Sequence, residues 1–291
     1  MENNHISITF LKRKIFTILM FDNQIAIITG GSSGIGKGIA EKLSSMGAKV
    51  ILVARTEDKL IKAVEDIKRK GGIAEYRIGD ATTPGDIEKI IDEIYNNEKR
   101  LDIFVNNAGI FKFSDIYTDY KDITEMIDTD MIAPGRILHY IVNKFSDTNK
   151  EIKILNTLSH ATFRIMSGNI GYGTAKEALF RISLQLEKDL KEKNIKNIKI
   201  YRIYPSSVAT PQLLEMYKKG LVEAPTTLES VVNEAIDLLA DKTPSRDSFV
   251  GYIPNKGIVA AYYYINFNTT YNNPNVLNFL SEKIIDDKYK P

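Results

Sequence analysis

The chain has no cysteine, almost no net charge and no long apolar run. Without cysteine there are no disulfides, no thiolate metal sites and no cysteine nucleophile, a usage that fits a reducing compartment and an expected cytoplasmic location. Lys and Arg number 39 against 37 Asp and Glu, a formal charge of +2, so no global field points to nucleic acid or an acidic surface as a partner. The apolar runs Ile15 to Phe21 and Gly257 to Phe267 fall well short of the roughly 20 residues a membrane-spanning helix needs, and membrane contact is not expected. No His, Asp and Glu cluster has metal-ligand spacing, so no metal is expected. Internal repeats, low-complexity blocks and Pro-, Gly- or Ser-rich linkers are also missing, which favours one large domain over two ordinary ones.

What is there begins with an N-terminal surplus. Lys12, Arg13 and Lys14 precede the Ile15 to Phe21 run in a superficial copy of a signal peptide, but no small-residue cleavage site follows and a strand-like segment starts at Ile25. The preferred reading is an appended extension over residues 1–21, from a start upstream of Met20, with a membrane or targeting element as the alternative. The three cations less Glu2 account for the whole excess charge. Residues 22–291 are then the single domain, with an atypical tail from about residue 241 containing Pro244, Pro254, Pro274 and Tyr262-Tyr263-Tyr264.

Within that body, β-branched runs alternate with segments of helical period. Strands are expected at Ile25 to Thr29, Lys49 to Ala54, Ala74 to Ile78, Leu101 to Asn106, Ile152 to Ser159 and Ile198 to Pro205. Helices are expected from Gly34 to about Met46, from the Thr56 N-cap to the stop at Gly71, from Pro84 and Asp86 to Tyr95, and over Asp122 to Asn143 and Tyr172 to Glu192. The alternation predicts an α/β fold: a Rossmann-like, doubly wound parallel sheet of about seven strands flanked by helices. The tail reads as a last strand plus a helical or loop cover over a substrate cleft.

The first strand runs into Thr29-Gly30-Gly31-Ser32-Ser33-Gly34-Ile35-Gly36, where such a fold places its phosphate-binding turn. Glycines there permit positive φ and let backbone amides approach a pyrophosphate at a helix N-terminus. An NAD site commonly sets a carboxylate at the end of the second strand for the ribose 2′-hydroxyl; Ala54 holds that place and Arg55 follows. A guanidinium suits a 2′-phosphate, so NADP is expected rather than NAD, the other reading being a solvated arginine. Asp80, after the third strand, is placed to accept from the adenine amino group or simply to cap a helix.

Together, Thr29 to Gly36, Asn106-Asn107-Ala108-Gly109, Ser159 and Tyr172-Gly173-Thr174-Ala175-Lys176 resemble the short-chain dehydrogenase/reductase family over about Ile25 to Thr210, in the family's order. The residue chemistry leads the same way. Hydride transfer to a carbonyl leaves a developing alkoxide that needs a proton and a hydrogen-bond donor. Tyr172 can give the proton, Lys176 one helical turn on can favour its phenolate, and Ser159 can polarise the carbonyl. The resemblance implies these same roles and adds a Lys176 contact to the nicotinamide ribose. It further implies cofactor contacts from Asn107, Ala108, Gly109, Pro205, Val208 and Thr210.

Two positions depart from the family pattern. Ser206 replaces the glycine usual after the proline, and Asp130 replaces an asparagine that supports a water in the proton relay. A carboxylate there stabilises the Lys176 ammonium and offsets part of its influence on Tyr172, so activity is expected to be retained but retuned. The substrate is expected to be a small-molecule ketone or secondary alcohol, and the resemblance places its selection in the side chains flanking Ser159, where His160 (structural or substrate-lining), Arg164 (meeting an anionic group or facing solvent) and Met166 follow, and in the loop holding Leu213, Leu214, Met216 and Tyr217. A homodimer or homotetramer is implied by the resemblance alone. The alternative is a dinucleotide-binding regulatory or scaffold protein that kept the fold and lost turnover.

Overall fold

The alternation becomes backbone geometry in a computed structural model that describes residues 20–209, 217–219, 225–253, 256–265 and 277–286. The first half runs β1 Ile25–Thr29, α1 Gly34–Ser45, β2 Lys49–Ala54, α2 Glu57–Arg69, β3 Ile73–Ile78, α3 Asp86–Glu98 and β4 Ile103–Asn106. The second half continues with α4 Tyr120–Ile127, a π-turn Asp128–Ile132, α5 Ala133–Phe145, β5 Ile152–Thr157 and a 3-10 turn His160–Thr162. It ends with α6 Ile170–Glu192, β6 Ile198–Pro205, α7 Leu228–Leu239, β7 Asp247–Ile253, β8 Gly257–Ile265 and β9 Leu277–Asp286.

These strands form one sheet in the order β3-β2-β1-β4-β5-β6-β7-β8-β9. Every pair from β3 to β7 is parallel, and β8 and β9 are added antiparallel. Because β1 pairs with β2 on one side and β4 on the other, the winding reverses at β1, and a crevice opens beyond the carboxyl ends of these strands. Two apolar layers hold the sheet. On one face Ile39 and Leu43 of α1, Leu60 and Ile67 of α2, and Val231 and Leu238 of α7 pack on Ile28, Val50 and Leu52. On the other, Ile87 and Ile91 of α3, Ile137 and Ile141 of α5, and Leu190 of α6 pack on Ile27, Phe104 and Ile154. Each fully buried aliphatic side chain contributes about 1.5–3 kcal/mol against exposure. Phe21 is buried in the first layer, where Met20 also packs, and its amide donates to the Met46 carbonyl at 3.0 Å.

The expected parallel sheet of about seven strands is β1 to β7, and among the described residues two antiparallel strands extend it to nine. Two other expectations need correction. The expected helical or loop cover from the tail is not found among the described residues, where the tail instead adds β8 and β9 to the sheet edge. Ile258, Val259, Ala260 and Tyr262 of β8 are buried, and Lys283 of β9 pairs with Asp237 of α7 at 2.9 Å. The single helix expected over Asp122 to Asn143 is interrupted by the π-turn. Thr56 does stand at the N-cap of α2, in extended backbone, but its side chain makes no capping hydrogen bond.

Candidate active site

The glycine turn after β1 is built around Thr29. Its hydroxyl donates to the Val105 carbonyl at 3.2 Å and accepts from the Asn107 and Ala108 amides at 3.0 and 3.1 Å, tying the turn to the segment after β4. The Asn107 side chain donates to the Thr29 carbonyl at 3.2 Å. Two glycines are required by that closeness. A Cβ on Gly30, where φ is +64°, would lie 2.9 Å from Asn107 Nδ2; one on Gly36 would lie 2.5 Å from both Asn107 Nδ2 and the Gly30 carbonyl. Ser33 occupies the N-cap of α1 without a side-chain capping bond and lines the crevice, so that helix begins at its edge.

The crevice has a volume of about 300 Å³. Gly30, Ser32, Ser33, Arg55, Asp80, Asn107, Ala108 and Gly109 all line it. Arg55 is two-thirds exposed, with Nη1 3.8 Å from Asp80 Oδ2. Burial pushes the Asp80 carboxyl up, but bonds from the Thr82 amide and hydroxyl at 2.9 and 2.7 Å, with the Arg55 charge, hold it below the usual carboxylate range. The turn, the positive-φ glycine and the start of α1 form a cradle that a side chain would fill, which fits a nucleotide pyrophosphate. Sequence reasoning missed Lys59, Ile110 and Thr129 in this lining. Lys59 had a signal: it lies one helical turn past Arg55 on the exposed start of α2.

At the far end of the crevice stands a buried ion pair. Lys176, 4% exposed, holds Nζ 3.0 Å from Asp130 Oδ1 and donates to the Thr157 carbonyl at 3.0 Å. Burial alone would lower its pKa, but the Asp130 carboxylate and the Tyr172 oxygen outweigh that and raise it above the ordinary lysine value. Asp130 is fully buried in the π-turn, and its Oδ2 accepts from the Ile110 amide at 3.0 Å. Gly109 belongs to the same cluster, because a Cβ there would collide with Asp130 Oδ1 and lie 3.5 Å from Lys176 Nζ. Tyr172 presents its ring 5.5 Å from Nζ.

Ser159 starts the 3-10 turn after β5, and its Oγ accepts from the Ala161 amide at 3.1 Å. That turn sits against α6 at Gly173, where a Cβ would lie 3.4 Å from the Ala161 carbonyl, so Ser159 and Tyr172 belong to neighbouring backbones. Pro205 ends β6, and the Ser206 amide donates to Val250 at 2.8 Å; serine is accommodated there without left-handed backbone. Val208 bridges to Thr226. Gly34 opens α1 at φ +55°, and Ile35 packs on the first apolar layer. Thr210 and the candidate loop residues Leu213, Leu214 and Met216 lie outside the described residues. No described helix is long and apolar enough to cross a membrane.

Comparison with known proteins agrees with this geometry. A family model described as short chain dehydrogenase matches residues 24–219. An uncharacterized oxidoreductase of Staphylococcus epidermidis is 30% identical over 217 residues, covering 72% of this chain and 89% of that protein. A 7α-hydroxysteroid dehydrogenase complexed with NADH and 7-oxoglycochenodeoxycholic acid superposes with a TM-score of 0.69 at 24% identity, over 79% of this chain and 93% of that one. A metagenomic short-chain oxidoreductase in complex with NADP superposes with a TM-score of 0.65 at 23% identity, over 77% and 94%. The two structures share the fold; the matched family carries the assignment, and the chain belongs to the short-chain dehydrogenase family.

Proposed function

We propose that the protein is an NADP-dependent oxidoreductase that moves a hydride between nicotinamide and a ketone or secondary alcohol. The observation that carries the reading is Lys176, an ammonium buried 5.5 Å from the Tyr172 ring and packed against Gly109, which lines the nucleotide crevice. A buried cation beside the phenol favours negative charge on its oxygen.

The dinucleotide would be held by Gly30, Ser32, Ser33 and the first amides of α1 at its pyrophosphate, by Arg55 and Asp80 at its adenosine end, and by Asn107 to Gly109, Pro205, Val208 and Thr210 toward the nicotinamide. When bound, it supplies or accepts the hydride. Tyr172 gives a proton to the carbonyl oxygen in reduction and takes it back in oxidation. The Ser159 hydroxyl accepts from the Ala161 amide and keeps its own proton to donate to the same oxygen. Lys176 donates one N–H to the Thr157 carbonyl and pairs its charge with Asp130, and its remaining donor capacity serves Tyr172 or a ribose hydroxyl. Asp130 is a positioning residue, fixing the ammonium and closing the backbone at Ile110.

NADP is favoured over NAD by Arg55 at the end of β2, with Lys59 as a second cation in the same lining. The test is a panel of ketones and secondary alcohols followed by cofactor absorbance with NADPH and with NADH. Turnover is expected with NADPH in preference to NADH. Tight NADPH binding without turnover of any panel member would replace the enzyme with a dinucleotide-binding regulatory protein.

A further inference from the structure

Two loops flank the Ser159 and Tyr172 pair, and both turn large apolar side chains to solvent. On the loop after β4, the Phe111 ring meets Tyr172 edge-on at 5.3 Å yet stays 62% exposed, and Phe113 is 64% exposed. On the loop after the 3-10 turn, Phe163 rests on Phe180, Tyr204 and Phe249 at 4.9 to 5.6 Å with 45% of its surface free. Ile165 and Met166 follow it, both exposed.

The two loops are joined rather than merely near. The Ser114 amide donates to the Gly168 carbonyl at 2.9 Å, the Ile170 amide to the Ser114 carbonyl at 3.1 Å, and the Gly171 amide to the buried Ser114 hydroxyl at 3.0 Å. The Phe113 ring lies directly on Gly168, at φ +77°, where no side chain would fit. The charges among these residues are already engaged. Lys112 holds Asp122 and Glu125 at 2.6 Å each, and Arg164 has an interaction within the chain. The result is an apolar wall fixed by backbone hydrogen bonds, with Tyr172 and Ser159 as the polar groups beside it. Binding sites for small organic molecules have this composition, an apolar lining with a few placed polar groups, and exposed apolar surface of this extent marks a place of recognition.

Building on the oxidoreductase reading, we infer that the substrate is a ketone or alcohol with a bulky, predominantly apolar body lying along Phe111, Phe113, Phe163 and Ile165. A sugar-like or otherwise polyhydroxylated substrate would leave its hydroxyls facing carbon here without partners. A hydrocarbon body instead removes apolar area from water on both sides of the contact.

The test separates this inference from the reading beneath it by measuring binding without reaction. A ketone and the oxidised cofactor cannot exchange a hydride, so calorimetric titration of methyl ketones of six to twelve carbons into the protein saturated with NADP+ reads affinity alone. Each added methylene is expected to tighten binding about two- to fourfold. The double variant Phe113→Ser, Ile165→Ser, at two exposed positions, is expected to flatten that dependence while its melting temperature, read alongside, stays close to wild type. An affinity independent of chain length, or an unchanged slope in the double variant, overturns the inference. So does a fall in the double variant's sedimentation mass with its slope intact, which would assign the wall to a second copy of the chain. Turnover of the same series with NADPH tests the oxidoreductase reading separately.

Discussion

Asp130 and Lys176 form a charge pair that departs from the family's usual chemistry at one atom, carboxylate oxygen for amide. Lys176 is held above its ordinary pKa by that carboxylate together with Tyr172, against a burial effect that would lower it. In Asp130→Asn the ammonium loses its counter-charge and its pKa falls. The alkaline limb of the pH–rate profile, where the ammonium is lost, is therefore expected to move to lower pH with turnover retained. An unchanged profile and rate would remove Asp130 from the proton relay. At the other end of the crevice, Arg55→Ala is expected to weaken NADPH about tenfold or more, the worth of a charge-assisted phosphate contact, while NADH changes little. Equal losses for both cofactors, measured as dissociation constants, would contradict the phosphate role. The residues that act through short motifs were legible from the sequence: Tyr172 and Lys176 share one helical face, and Arg55 sits at a strand end. Lys59, Ile110 and Thr129 enter the crevice only through the path of the backbone beyond those motifs.

The elements add something that residue types alone do not carry. Asp130 points inward because the helix widens over Asp128–Ile132, and Pro134, which has no N–H for the Asp130 carbonyl four residues back, is the sequence signal for that widening. The helical period of Asp122 to Asn143 runs on through Pro134, so period alone predicts one helix and the proline interrupts it. Strands β6 and β7 are clamped by a buried group the sequence does not reveal. Arg202 holds Asp247 through Nε and Nη2 at 2.6 and 2.8 Å, Nη2 also reaches Glu187 of α6 at 2.8 Å, and the Tyr204 hydroxyl donates to Asp247 at 2.7 Å. All the pairing is nonlocal, between positions more than a strand apart. Removing one partner strands a buried charge, so Asp247→Ala is expected to cost about 3–5 kcal/mol in urea unfolding. A loss below about 1 kcal/mol would mean that the network is not stabilising β7.

For the whole molecule, the parallel strands and the reversal at β1 follow from an alternation visible in the chain, whereas the antiparallel edge does not. The segment Gly257–Ile265 is an apolar run that suits a strand or a cover, and only its pairing with β7 and β9 decides. Stability against acid has a legible contributor at the opposite end of the sheet. Burial pushes the Asp241 carboxyl up, but Lys153 at 2.7 Å, the Tyr201 hydroxyl and Lys199 at 3.3 Å outweigh it and pull the pKa down to about 2. A depressed carboxyl contributes stability above its unfolded pKa near about 3.9, and that contribution is lost as pH falls through the folded value. Asp241→Asn keeps a residue tolerant of the φ of +53° found there. Its midpoint of unfolding is expected to lie below wild type at pH 7, modestly because the side chain is 44% exposed, and to converge with it toward pH 2. A gap that persists unchanged in acid would assign the effect to something other than this charge.

The central claim is that Tyr172 is the proton donor in a nicotinamide-dependent reduction. Tyr172→Phe keeps the ring against Phe111 and removes only the hydroxyl. Paired measurements of ketone reduction and NADPH affinity test it most directly. Reduction is expected to be lost with the NADPH dissociation constant nearly unchanged, and a variant that turns over at the wild-type rate would contradict the account.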